Sequence, residues 1–117
     1  MIIPPGPLKV LVATRPADFR KGMVGLASLV QNELRLDPFC GMLFIFRARR
    51  ADWIELLVWD GTGLVLVTKR LQDWKFRWPR RTDGVMKLSA AQASALFEGL
   101  DWSRVHVPRV PKPLHAQ

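Results

Sequence analysis

Apolar positions along this chain follow two periods. Phe19, Met23, Leu26, Val30 and Leu34 recur every three or four residues, which makes one helix face over four turns. Thr14-Arg15-Pro16-Ala17-Asp18 supplies its start. Thr14 or Arg15 would cap, Pro16 suits the first turn, and Asp18 favours the positive end of the macrodipole. Asp37-Pro38 ends it. Gly22 and Gly25 lower its helix propensity and suggest a close approach by another element. A second helix opens at Ser89, where Gln92 three residues on completes a capping box, and Gly99 stops it. Leu100 and Trp102 then tuck back onto the core.

The other apolar runs are short: 8–13, 42–47, 53–60, 64–68 and 85–88. Ala48 to Asp52 is a basic turn, and Asp60-Gly61-Thr62-Gly63 and Asp83-Gly84 are further turns. Such short connections make runs 42–47, 53–60 and 64–68 an antiparallel meander, because a parallel return needs a long crossover. From Lys69 to Trp78 the period is two. Trp74, Phe76 and Trp78 fall on one side and Lys75 and Arg77 on the other, which predicts an extended segment with an aromatic and a cationic face. The fold class is therefore α+β: one domain over 1–103, a mostly antiparallel sheet flanked by two helices. Pro4, Pro5 and Pro7 stiffen the entry. A basic tail over 104–117 alternates Pro108, Pro111 and Pro113 with Arg109 and Lys112.

Composition adds one strong bias. Eighteen Lys and Arg face ten Asp and Glu, giving a net charge of +8 and a pI near 10.8. A field of that sign draws polyanions, nucleic acid first among them, although positive charge can also serve solubility alone. The single cysteine, Cys40, excludes an internal disulfide and a Cys-rich zinc site. It reads as a small buried hydrophobe in a protein of the reducing cytoplasm. No apolar run nears the ~20 residues of a membrane span, and Lys9 and the prolines interrupt any signal-peptide centre.

Three cationic clusters are candidates for phosphate contact. Lys69, Arg70, Lys75, Arg77, Arg80 and Arg81 form one, interleaved with Trp74, Phe76 and Trp78. Cations there would release counterions from a backbone, and an exposed aromatic, for which Trp74 is the choice, could stack on a base. The alternative puts at least two of the aromatics in the core. Arg47, Arg49 and Arg50 form the second cluster, at a turn; the alternative is a solvated turn paired to Asp52 or Glu55. Arg20 and Lys21, next to Asp18, form the third, where cations early in a helix oppose the macrodipole.

Catalytic, metal and cofactor sites are not expected. His106 and His115 lie in the Pro-rich end without ligand-spaced neighbours, and the glycines of 60–63 make a turn rather than a phosphate loop. A metal-dependent nuclease would need Glu55, Asp60, Asp83 or Asp101 to converge.

Several segments together resemble the TnpB-type accessory protein of the IS-sixty-six family of bacterial insertion sequences. They are Asp18-Phe19-Arg20-Lys21-Gly22, Phe46-Arg47-Ala48-Arg49-Arg50 with Asp52, and Trp59-Asp60-Gly61-Thr62-Gly63. Lys69-Arg70-Leu71, Phe76-Arg77-Trp78-Pro79 and Leu96-Phe97-Glu98-Gly99-Leu100-Asp101-Trp102 complete the set, which covers roughly 8–102. Ala48 and Gln72-Asp73-Trp74 depart from the pattern. The resemblance implies a protein encoded beside a separate transposase and needed for efficient transposition, and it supplies no catalytic residue. Combined with the charge, it predicts a DNA-binding accessory factor. A module docking on the transposase or another element-encoded protein is the alternative, and a homo-oligomer is left open.

Overall fold

The computed structural model describes residues 9–80 and 84–105. Strands run Val10–Ala13 (β1), Leu43–Arg47 (β2), Trp53–Trp59 (β3), Leu64–Arg70 (β4) and Val85–Leu88 (β5). The helices are Gly22–Asn32 (α1) and Ala90–Phe97 (α2), with 3-10 turns at Phe19–Lys21 and Trp102–Arg104. One sheet has the order β4-β3-β2-β1-β5. The expected α+β class holds, and β2, β3 and β4 form the expected antiparallel meander. The new element is a parallel pair: β1 lies beside β2, with α1 in the connection. Antiparallel β5 closes the other side of β1.

Each sheet face carries its own core. Leu11, Phe44, Phe46 and Leu57 pack with Leu26 and Val30 of α1 on one face. Val10, Val12, Ile45, Ile54 and Leu56 pack with Ala93 and Leu96 of α2 on the other. Covering both faces explains why the central strands β1 and β2 are apolar almost throughout, with no polar alternation. No helix among the described residues is long and apolar enough to cross a membrane.

The first helix is shorter than its periodicity predicts. Thr14 and Arg15 do not cap it. The Thr14 hydroxyl accepts the Gly84 amide at 3.0 Å, and the Ala17 amide donates to the Arg47 carbonyl at 2.8 Å, so this stretch is tied to the sheet. Asp18 is the cap instead, for the 3-10 turn, accepting from the Arg20 amide. Gly22 (φ 66, ψ −163) then redirects the chain into α1. The helix closes early because Arg35 adopts φ 58 and the Leu34 and Leu36 amides fold back onto the carbonyls of Leu29 and Val30. Gly25 marks a close approach of local origin: a Cβ there would sit 2.2 Å from the Lys21 Cβ.

The second helix forms as predicted. Ser89 and Gln92 make both halves of the capping box. Ser89→Ala should cost about 0.5–2 kcal/mol of stability in urea unfolding. An unchanged midpoint would mean the box contributes nothing.

Residues 69–78 are not one strand, because β4 ends at Arg70. Beyond Arg70 the chain leaves the sheet, and the amides of Leu71 and Phe76 donate to the carbonyls of Asp52 and Ala51. Those two bonds lay the segment along the arginine turn. Phe76 is buried, Trp78 is half-buried, and Trp74 is 72% exposed. Two other expectations are also corrected. Leu100 is 60% exposed, because Gly99 at φ 80 turns the chain outward. Cys40 is exposed, held in a tight turn by its amide bond to the Asp37 carbonyl. A 3-10 turn over Trp102–Arg104 follows, and Arg104 pairs with Asp101 at 3.5 Å. Residues 106–117 and the entry prolines lie outside the described residues.

Candidate nucleic-acid interface

The strand pairing puts the ends of β1, β2 and β4 and the starts of β3 and β5 at one end of the sheet. The turn after β2, the 3-10 turn before α1 and the loop after β4 therefore meet there. Two of the sequence clusters, Arg20–Lys21 and Arg49–Arg50, converge on this end because of the Ala17–Arg47 backbone bond. Between them lies a cleft of about 440 Å³, with Pro16, Ala17 and Ala48 as apolar lining and Phe19 and Trp53 as aromatic lining.

Each arginine of the cleft has a different setting. Arg20 donates from Nε and Nη2 to the two carboxylate oxygens of Asp18, both at 3.0 Å. Arg50 does the same to Asp52, at 3.2 and 2.9 Å. These bonds hold the Asp18 carboxyl down at about 2 and lower that of Asp52. Both guanidiniums remain largely exposed. Arg49 is exposed with no ion-pair partner among the described residues. Arg70 lies over the Trp53 ring at 4.5 Å. Trp53 is fixed further by an edge contact with Phe19 (5.2 Å) and a bond from its Nε1 to the Thr68 hydroxyl at 2.8 Å. Neither Phe19 nor Trp53 stands out in the sequence as a ligand contact. Phe19 matched the apolar helix face, and the available signal for Trp53 was its place directly after the basic turn.

The remaining candidates divide by location. Lys75 and Trp74 are exposed in the loop anchored beside the arginine turn. Lys21 is exposed at the junction with α1. Arg77 and Arg80 line a second hollow, of about 680 Å³, with Trp78 and Trp102; there Arg77 stands 3.9 Å from Asp101. Trp102 tucks in as expected, its Nε1 donating to the Arg77 carbonyl. Arg81 lies outside the described residues.

Two candidates are engaged internally. Lys69 projects to the α2 side, donating from Nζ to the Phe97 carbonyl at 2.8 Å and lying 4.7 Å from that ring's centroid. Arg47 ends β2 rather than occupying the turn. It is half-buried over Trp78 at 5.7 Å, and burial lowers its pKa. The row of cations from Lys69 onward is thus not one strip, because adjacent residues of β4 point to opposite faces.

The acidic candidates have local tasks. The Asp60 carboxylate accepts from the Thr62 and Gly63 amides and the Thr62 hydroxyl, which lowers its pKa and builds the turn between β3 and β4. Asp101 caps the last 3-10 turn. Asp83 lies outside the described residues, among which no three His, Cys, Asp or Glu group as metal ligands.

Glu55 is 5% exposed on β3, opposite Phe46 and Thr68, with no ion-pair or hydrogen-bond partner among the described residues. Burial raises its pKa. A raised folded-state pKa gives stability that is complete below the unfolded value and is lost as pH rises through the folded value. Glu55→Gln should therefore exceed wild type in stability near pH ~7, with the gap closing toward pH ~4. A gap independent of pH in urea unfolding would contradict this.

The family described as IS66 Orf2 like protein matches residues 8–107. Uncharacterized protein y4jC of Sinorhizobium fredii is 46% identical over 113 residues, 97% of either chain. Uncharacterized protein y4hO of the same organism is 41% identical over 95 residues, 81% of this chain and 83% of its own. No solved structure matches.

Proposed function

Because this chain belongs to the IS66 Orf2-like family of insertion-sequence accessory proteins, we propose that it serves transposition by binding DNA, without catalysis, through the cationic end of its sheet. The observation that carries this reading is the convergence of Arg49, Arg70 and Lys75 from two separate segments, cations with no carboxylate partner among the described residues, whereas Arg20 and Arg50 beside them are paired to Asp18 and Asp52. A fold has no stability reason to gather so many like charges, since exposed ion pairs contribute little. Phosphates are their natural complement.

The test is fluorescence anisotropy with terminal-repeat duplex and scrambled duplex over a salt series. Steeply salt-dependent binding supports the reading, and preference for the terminal repeat makes the protein an end-recognising factor. Absence of binding at low salt would transfer the role to protein contact. The hollow beside Trp78 and Trp102 favours that second reading, with a transposase as the partner.

A further inference from the structure

The charges within the cleft do not match a simple phosphate clamp. Asp18 cancels Arg20, and Asp52 cancels Arg50. Those two arginines add almost no net attraction for a polyanion. What the carboxylates do provide is orientation. With Nε and Nη2 engaged, each guanidinium is held in a fixed plane, and its Nη1 group stays available.

The same cleft has an apolar lining at Pro16, Ala17 and Ala48 and two aromatic rings at Phe19 and Trp53. A phosphate backbone needs neither. Flat aromatic bases need both, because they stack on arginine planes and on aromatic rings. At about 440 Å³ the cleft has the size of a small-molecule site. Net positive charge comes from Arg49 at the cleft and Arg70 behind Trp53, neither with an ion-pair partner among the described residues.

We infer that the cleft receives an unpaired nucleotide, so that the preferred ligand is single-stranded DNA or an open DNA end rather than closed duplex. The base lies among Phe19, Trp53 and the oriented planes of Arg20 and Arg50, while Arg49 meets its phosphate. This rests on the DNA-binding reading above and deepens it. Duplex keeps its bases stacked internally, so a blunt duplex would reach only the outer cations.

The experiment compares a fifteen-nucleotide oligothymidylate with a blunt fifteen-base-pair duplex by anisotropy at one salt concentration. The variants are wild type and Arg20→Lys/Arg50→Lys, which retains charge but not the guanidinium plane. Both positions are exposed, and circular dichroism verifies the fold. Wild type should bind the single strand at least ~5-fold tighter, the lower end of what one base stack contributes. The double variant should lose that preference and keep its duplex affinity. Equal affinity of wild type for both ligands overturns the inference and leaves DNA binding standing. An equal loss on both ligands in the variant also overturns it, since the arginines would then act only on phosphate. No binding to either ligand overturns the parent reading as well.

Discussion

Replacing Arg49, Arg70 and Lys75 by alanine should reduce the log–log salt slope of duplex binding by about three, at about 0.9 per lost phosphate contact. All three are exposed cations at this end of the sheet with no carboxylate partner among the described residues. If the extrapolated affinity at 1 M salt is unchanged, that slope corresponds to a loss of up to ~500-fold at 0.1 M. Arg20→Ala/Arg50→Ala is the informative contrast. Each removed guanidinium uncovers the carboxylate it neutralised, so some duplex affinity falls through new repulsion. The number of counterions released, however, should change far less than in the triple variant. An unchanged slope in the triple variant would remove these residues from any DNA interface. Stability should change little at Arg49 and Lys75, which are exposed, and fall by about 0.5–1 kcal/mol at Arg70 through its lost contact with the Trp53 ring.

The second large effect is expected at Gly22. With φ 66 and ψ −163 it occupies a region open essentially only to glycine. A Cβ there would meet nothing within 4 Å, so the penalty of Gly22→Ala is one of backbone conformation and not of crowding. It should destabilise by about 1–3 kcal/mol, a fall in melting temperature of several degrees. The consequence should extend to the cleft, because Gly22 directly follows the turn that carries Phe19 and Arg20. A variant that relaxes its backbone would move both side chains, so DNA affinity should fall together with stability. Gly25→Ala differs in cause, since its Cβ would collide with that of Lys21. A Gly22→Ala protein with wild-type unfolding midpoint and affinity would show that this conformation is not required.

Local chemistry was the most legible part of the sequence. The Ser89–Gln92 box, the Asp60 turn, strand 85–88 and the meander depend on residues close in the chain, and all formed where their patterns placed them. Features that depend on distant backbone contacts were not legible. The parallel pairing of β1 with β2 leaves no periodic signature, because a doubly covered strand shows only an apolar run. Residues 69–78 imitated a strand because Phe76 and Trp78 pack inward while Trp74 does not, an alternation arising in a loop held by Leu71 and Phe76. The cleft was visible only in halves. Arg20 and Arg49 lie 29 positions apart in the chain, and the backbone bond that joins their segments involves no side chain at all.

The strand order also bears on how the chain must be made. Among the described strands β1 is made first, yet one of its two neighbours, β5, is made after all the others. Every segment of the cleft, by contrast, is complete by residue 76. A chain released after residue 80 would carry its cleft residues but leave β1 open along one side. The sheet face over Val10, Val12 and Ile45 would also lack α2. Such an open edge beside bare apolar surface invites pairing with another chain. Termination before β5 should therefore yield aggregation-prone fragments rather than smaller working proteins, and anything that slows synthesis of β5 and α2 would lower the yield of folded protein.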